Sequence, residues 1–167
     1  MASTERESIQ TFVRKFRDEH QDQFTIFVMM RFGKSLIHNT LHECIARELD
    51  ALGMQAVRAD DCHYAADLWA NVQTYMLGAD AGIVIFDNVT IGGQPPVGIN
   101  PNVSVELGYM MGLDKPWLML KDRHLKEMPV DLRGILFSEF NGDDPEADVR
   151  KAVRHWAQAL NLTRQNS

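Results

Sequence analysis

Residues 24–30, F-T-I-F-V-M-M, form a near-continuous apolar run that is short and partly β-branched. A run of this kind fits a strand buried on both faces, as in a parallel sheet covered by helices on each side. Ala81–Phe86, A-G-I-V-I-F, repeats the signal and is the clearest strand in the chain. Around these two runs, apolar residues recur at helical spacing. Ile9, Phe12, Val13 and Phe16 predict an amphipathic helix over 5–19, with its charges outside. Ile37, Leu41, Cys44, Ile45, Leu49 and Leu52 mark a second helix, and Gly53 is placed to end it. Leu68, Val72, Tyr75 and Met76 mark a third, with Gly78 at its end.

The remaining segments continue the alternation. Residues 54–59 read as a second strand, 117–120 as a fourth and 135–137 as a short fifth. Residues 101–113 read as a helix, and Val149, Val153, Trp156, Ala157 and Leu160 close the chain with another. Strands alternating with helices imply βαβ units and a parallel sheet. The expected fold is flavodoxin-like, a three-layer α/β/α domain with a five-stranded, mainly parallel sheet in the order 2-1-3-4-5. The expected organisation is an N-terminal helix over 1–22 followed by the α/β domain over 23–167. In open sheets of this type, ligands bind beyond the carboxyl ends of the strands, near the switch point between the first and third. That rule selects residues 30–34, 58–63, 87–90 and the start of the helix at Pro101.

Composition narrows the function classes. The chain has 167 residues, 45% hydrophobic and 24% charged, which is ordinary for one globular domain. Its formal charge is −6 and no long basic run is present, which argues against a general nucleic-acid binder. A small anionic ligand needs only one arginine or one helix N-terminus, so that class stays open. No apolar run approaches the length of a membrane span, so no membrane association is expected. Cys44 and Cys62 lie far apart without a C-x-x-C pattern, so reduced thiols in a cytoplasm are the plain expectation. His38, His42, His63 and the two cysteines lack compact ligand spacing, and no metal site is expected. Gly92 and Gly93 lack the G-x-G-x-x-G pattern of a dinucleotide fingerprint.

The most informative stretch is N-P-N-V-S-V-E-L-G-Y, residues 100–109. Asn100 is a good N-cap and Pro101 a good first helical residue. Val103, Leu107 and Met110 form a core-facing stripe, and Glu106 sits at its margin, sharing a face with Asn102 and Tyr109. A carboxylate in that place is either a solvated flank or a cleft residue, and spacing alone leaves both readings open.

Several pieces together, M-M-R-F at 29–32, R-A-D-D at 58–61, F-D-N at 86–88 and the 100–109 run followed by K-P at 115–116, resemble the nucleoside 2-deoxyribosyltransferase-like families. These are related in fold to Toll/interleukin-receptor-like (TIR) NAD-cleaving domains. The run 120–134, L-K-D-R-H-L-K-E-M-P-V-D-L-R-G, resembles a bacterial, defence-associated subgroup of TIR-like proteins. The resemblance spans roughly 24–140 and implies N-glycosidic bond cleavage in NAD⁺ or another nucleotide, with that molecule as substrate and no separate cofactor. It carries the role of nucleophile or ion-pair stabiliser onto Glu106. One carboxylate suits the chemistry, because a negative charge stabilises an oxocarbenium-like transition state more than the ground state. Many deoxyribosyltransferases hold an aspartate six residues before the nucleophile; here Asn100 stands there and cannot supply a proton. Nicotinamide in NAD⁺ is already cationic and needs no general acid, so the substitution shifts weight toward a charged leaving group or toward binding alone.

The other candidates follow from position. Asp87, at the end of the third strand, is placed to orient a base or hydroxyl as the second catalytic residue. Arg31 and Phe32 follow the first strand, where a phosphate is paired and a base stacked. Arg58, Asp60 and Asp61 follow the second strand, where one of them holds a ribose hydroxyl or fixes Arg31, or the three form a structural salt-bridge cluster. Asn88 and Thr90 either contact ligand or shape their loop, and Asn102 and Tyr109 complete the ligand-binding set. Lys121 through Asp131 reads as a lid or an exposed connection. The alternative function is a non-catalytic nucleotide sensor or assembly module using the same cleft. A homo-oligomer is expected, because Tyr109, Met110, Met111 and Leu113, with Trp69 and Tyr75 on the neighbouring helix, exceed what one core-facing stripe requires.

Overall fold

The computed structural model describes residues 2–31, 35–88, 99–126, 132, 134 and 136–161, with side chains from residue 9 onward. Its elements run α1 (Ala2–Glu19), β1 (Phe24–Met29), α2 (Leu36–Ala51), β2 (Met54–Val57), α3 (Leu68–Gly78), β3 (Ala81–Phe86), α4 (Pro101–Gly112), β4 (Trp117–Asp122), β5 (Ser138–Phe140) and α5 (Glu146–Ala159). The five strands form one sheet in the order β2-β1-β3-β4-β5, and every neighbouring pair is parallel. This is the flavodoxin-like topology, with its switch point between β1 and β3.

The apolar runs are buried on both faces, as their composition requires. Ile26, Val28, Ile83, Ile85, Leu118 and Leu120 point to one layer, where Leu41, Ile45 and Leu49 of α2 meet Val149 and Val153 of α5. Phe27, Met29, Val84, Phe86 and Met119 point to the other, against Tyr75 and Met76 of α3 and Val103, Leu107 and Met110 of α4. Burying each of these large side chains contributes about 1.5–3 kcal/mol. Helix α1 lies over α3 rather than on the sheet: Phe16 packs at 5.2 Å from the Tyr75 ring and 5.6 Å from the Tyr64 ring. A side chain on Gly78 would overlap the Phe16 ring, so that glycine lets two helices touch. Gly53, just past α2, has φ 74°, a left-handed conformation that favours glycine.

Two expectations change. The fifth strand is Ser138–Phe140 and not 135–137. Leu136 is 94% exposed and Phe137 is also exposed, whereas Phe140 is fully buried and pairs with Asp122. Burial selects the later register; Ile135 itself lies outside the described residues. Tyr75 and Met110, read as surplus for an interface, belong instead to the core. Tyr75 donates its hydroxyl to the Cys62 carbonyl at 3.1 Å, so its polar end is satisfied inside.

The K-P pair also has a structural role. Lys115 donates from Nζ to the carbonyls of Met76 and Leu77, both at 2.8 Å, and to that of Ala79. These are orphan acceptors at and just beyond the C-terminus of α3, where the helix dipole favours a cation. Burial pulls the Lys115 pKa down to about 8, aided by Arg17 and opposed by the Asp80 carboxylate. The pair lies at the amino ends of the strands, opposite the predicted ligand edge. Among the described residues, both cysteines are free and no helix is long and apolar enough to cross a membrane.

Candidate functional site

The carboxyl edge of the sheet gathers charge immediately after the apolar strands. After β1 comes Arg31, largely buried, whose Nε stands 3.9 Å from Oδ1 of Asp87. Asp87 follows β3 and is itself buried. These two residues, separated in sequence, meet because β1 and β3 are neighbours in the sheet. The Arg31 Nε atom is buried and makes no hydrogen bond. A cation held beside a carboxylate at longer than bonding distance is placed to take a ligand oxygen.

Sequence reasoning missed the third member of this cluster. His38, in the first turn of α2, is fully buried, with Nε2 3.4 Å from Oδ2 of Asp87 but, like Arg31 Nε, in no hydrogen bond. Its Nδ1 lies 2.7 Å from Oγ of Ser35, the N-cap of α2, which also accepts the His38 backbone N–H at 3.3 Å. The available signal was S-x-x-H at a helix start directly after a buried strand. One turn further along α2, His42 has a buried Nε2 without a hydrogen bond, and burial and then Arg58 lower its pKa.

Glu106 comes from the other layer. Asn100 caps α4 as expected, accepting the Asn102 backbone N–H at 2.9 Å, and Pro101 opens the helix. Val103, Leu107 and Met110 anchor it to the sheet. Between them Glu106 is only 6% exposed, so the solvated-flank reading does not hold. Burial alone raises its pKa to about 7; among the described residues no cation or donor offsets the desolvation. A buried carboxylate without a partner is costly, and such residues concentrate at functional sites.

The remaining predicted residues divide plainly. Arg58 makes two bonds to Asp60, at 2.8 and 2.7 Å, while its backbone N–H donates to Asp61. That is the structural ion pair foreseen as one alternative. Asn100 spends its side-chain oxygen on the cap, Asn102 is exposed, and Asn88 is half-buried. Tyr109 is half-buried and meets Trp69 edge-on at 6.1 Å. Phe32, Thr90, Gly92 and Gly93 lie outside the described residues, as does 127–131 of the suggested lid. Glu106 makes no hydrogen bond or ion pair with the Arg31–Asp87–His38 cluster. Among the described residues no group of three His, Cys, Asp or Glu is arranged to hold a metal ion.

No protein-family model matches the chain, and neither does any curated protein. Among solved structures, a flavodiiron core protein from Synechocystis superposes with a TM-score of 0.50 at 15% identity. The match covers 90% of this chain but 40% of that one. A CMP N-glycosidase from Clostridium botulinum superposes with a TM-score of 0.49 at 14% identity, covering 83% of this chain and 98% of its own. The flavodiiron likeness is one of fold. Fold and site together define a flavodoxin-like α/β domain with a buried acid on α4 and a buried Arg–Asp–His cluster at the carboxyl edge of its sheet.

Proposed function

We propose that this protein cleaves an N-glycosidic bond in a nucleotide, with NAD⁺ the first candidate and another (deoxy)nucleotide the second. The observation that carries the reading is Glu106, a carboxylate buried on the second turn of α4 with no cation or donor beside it among the described residues. A desolvated carboxylate is complementary to a cation, and its field acts undiluted by water. The transition state of glycoside cleavage is such a cation. In the proposed step the C1′–N bond breaks and its electron pair leaves with the base, while Glu106 attacks C1′ or pairs with the ribosyl cation. Water then adds to C1′ and releases a proton. Nicotinamide departs neutral from NAD⁺, so no general acid is required, consistent with an asparagine at position 100.

In this reading Asp87 and Asn102 hold the ribose hydroxyls and Arg31 takes a phosphate. The family resemblance adds a setting, antiviral defence in a bacterial cytoplasm, and an assembled rather than monomeric active form. The test is incubation of the purified protein with NAD⁺ and a panel of nucleotides, followed by chromatography. Release of free base supports the proposal. Tight binding without turnover would make the domain a nucleotide sensor instead.

A further inference from the structure

The Ser35–His38–Asp87 chain does not follow from any glycosidase reading, and its geometry has a direction. The Ser35 oxygen already accepts the His38 backbone N–H, and its own proton is free to point at Nδ1 of the same residue, 2.7 Å away. With Nδ1 accepting, the ring proton belongs on Nε2, the atom facing the Asp87 carboxylate. The opposite tautomer would set a bare nitrogen lone pair against a carboxylate inside the protein, where such an opposition is costly. A Ser35 hydroxyl that donates to Nδ1 would thereby set which nitrogen of a fully buried ring carries the proton.

We infer that His38 is a positioning residue: Ser35 fixes its Nε2–H tautomer, and that N–H, 3.4 Å from Oδ2 of Asp87 and outside hydrogen-bond geometry in this structure, steadies the carboxylate by charge–dipole attraction with Oδ1 toward Arg31. The pair it orders, Arg31 and Asp87, sits at the switch point between β1 and β3. If the proposed function holds, His38 acts on the substrate only through Asp87, without touching it. The inference about Asp87 stands apart from which reaction is catalysed, because the tautomer is measurable without substrate.

Two arms test it. Nitrogen-correlated NMR of the histidine rings in the full chain near neutral pH reads the tautomer. The expected result is a His38 ring protonated at Nε2 in the native protein, with that proton's signal lost in Asp87→Ala and the tautomer mixed in Ser35→Ala. A ring protonated at Nδ1 alone, or an Nε2 proton unchanged in Asp87→Ala, overturns the inference. The second arm uses whichever nucleotide the native protein turns over. His38→Gln, which keeps a terminal N–H donor, should retain at least about tenfold more kcat/KM than the donor-free His38→Phe. Equal turnover in two folded variants overturns the link to catalysis. Absence of turnover in the native protein refutes the proposed function and leaves the NMR arm to decide the positioning role.

Discussion

Nζ of Lys115 lies 2.8 Å from the carbonyl oxygen of Met76, and the same ammonium reaches Leu77 and Ala79. One side chain from the β4 approach therefore closes the C-terminus of α3, with Arg17 of α1 adding a bond to Leu77 at 3.1 Å. Replacing Lys115 by Met keeps the apolar stem but takes this donor from three carbonyls, of which Leu77 alone keeps a bond, from Arg17. The expected loss is about 2–3 kcal/mol of folding stability, read as a lower denaturation midpoint. A neutral substitution would show that water satisfies those carbonyls equally well.

Glu48 joins the two helices of the opposite layer. It is buried, and Arg154 and Arg150 donate to its two oxygens at 2.8 and 3.1 Å from Nε. Both arginines are about half exposed, so losing Glu48 leaves them free to hydrate. Glu48→Leu should therefore cost at most about 3 kcal/mol. Amide exchange in α5 should rise more than in α3 or α4, because α5 is the element released. Uniform exchange across all helices would count against a local clamp.

Burial of Glu106 makes a pH-dependent claim about stability. Its pKa rises from 4.5 to about 7 on folding, so between those values the folded state holds a proton that the unfolded state has lost. Stability from this group is fully present below about pH 4.5 and is lost as pH rises to about 7, by on the order of 3 kcal/mol. Glu106→Gln cannot titrate. The variant should match the native protein near pH 4 and exceed it near pH 8, by roughly that amount. Urea midpoints at several pH values measure the gap, and a gap independent of pH contradicts the burial argument.

The order of the strands and both helical layers were legible because buried parallel strands declare themselves as apolar runs, and Ile26–Val28 or Ile83–Ile85 have no other use. β5 was misplaced by its length: three residues with one core contact, Phe140, carry too little pattern to outbid the apolar Ile135–Leu136–Phe137. At the candidate site, Asp87 was singled out by its position after the third strand, and Glu106 by its helix together with the family resemblance. His38 was not, since its partners are an N-cap serine and an aspartate on another strand. A screen for metal-ligand spacing looks for neighbours of a different kind. The burial of Glu106 was also open in sequence, because its place at the margin of an apolar stripe fits either side of the surface.

The outer faces of α3 and α4 retain apolar surface after folding. Trp69 is 43% exposed and Met111 42%, with Val105 also exposed. Homo-oligomerisation through these helices remains the proposal, now resting on those three residues rather than on Tyr75 or Met110. Sedimentation at micromolar concentration should show a dimer or larger assembly, and a Trp69→Ser, Met111→Ser double variant should shift it toward monomer. A native protein that sediments as a monomer contradicts the proposal.

In the proposed reaction the carboxylate of Glu106 carries the chemistry. The direct measurement is release of free base from NAD⁺ or the best nucleotide of the panel by the native protein and by Glu106→Gln, side by side. The amide keeps the size of the side chain and removes the charge facing the ribosyl cation. The expected result is a loss of at least about a hundredfold in turnover, equivalent to about 3 kcal/mol, in a variant that still folds. Turnover within a few fold of native would contradict it and place the reaction on another residue.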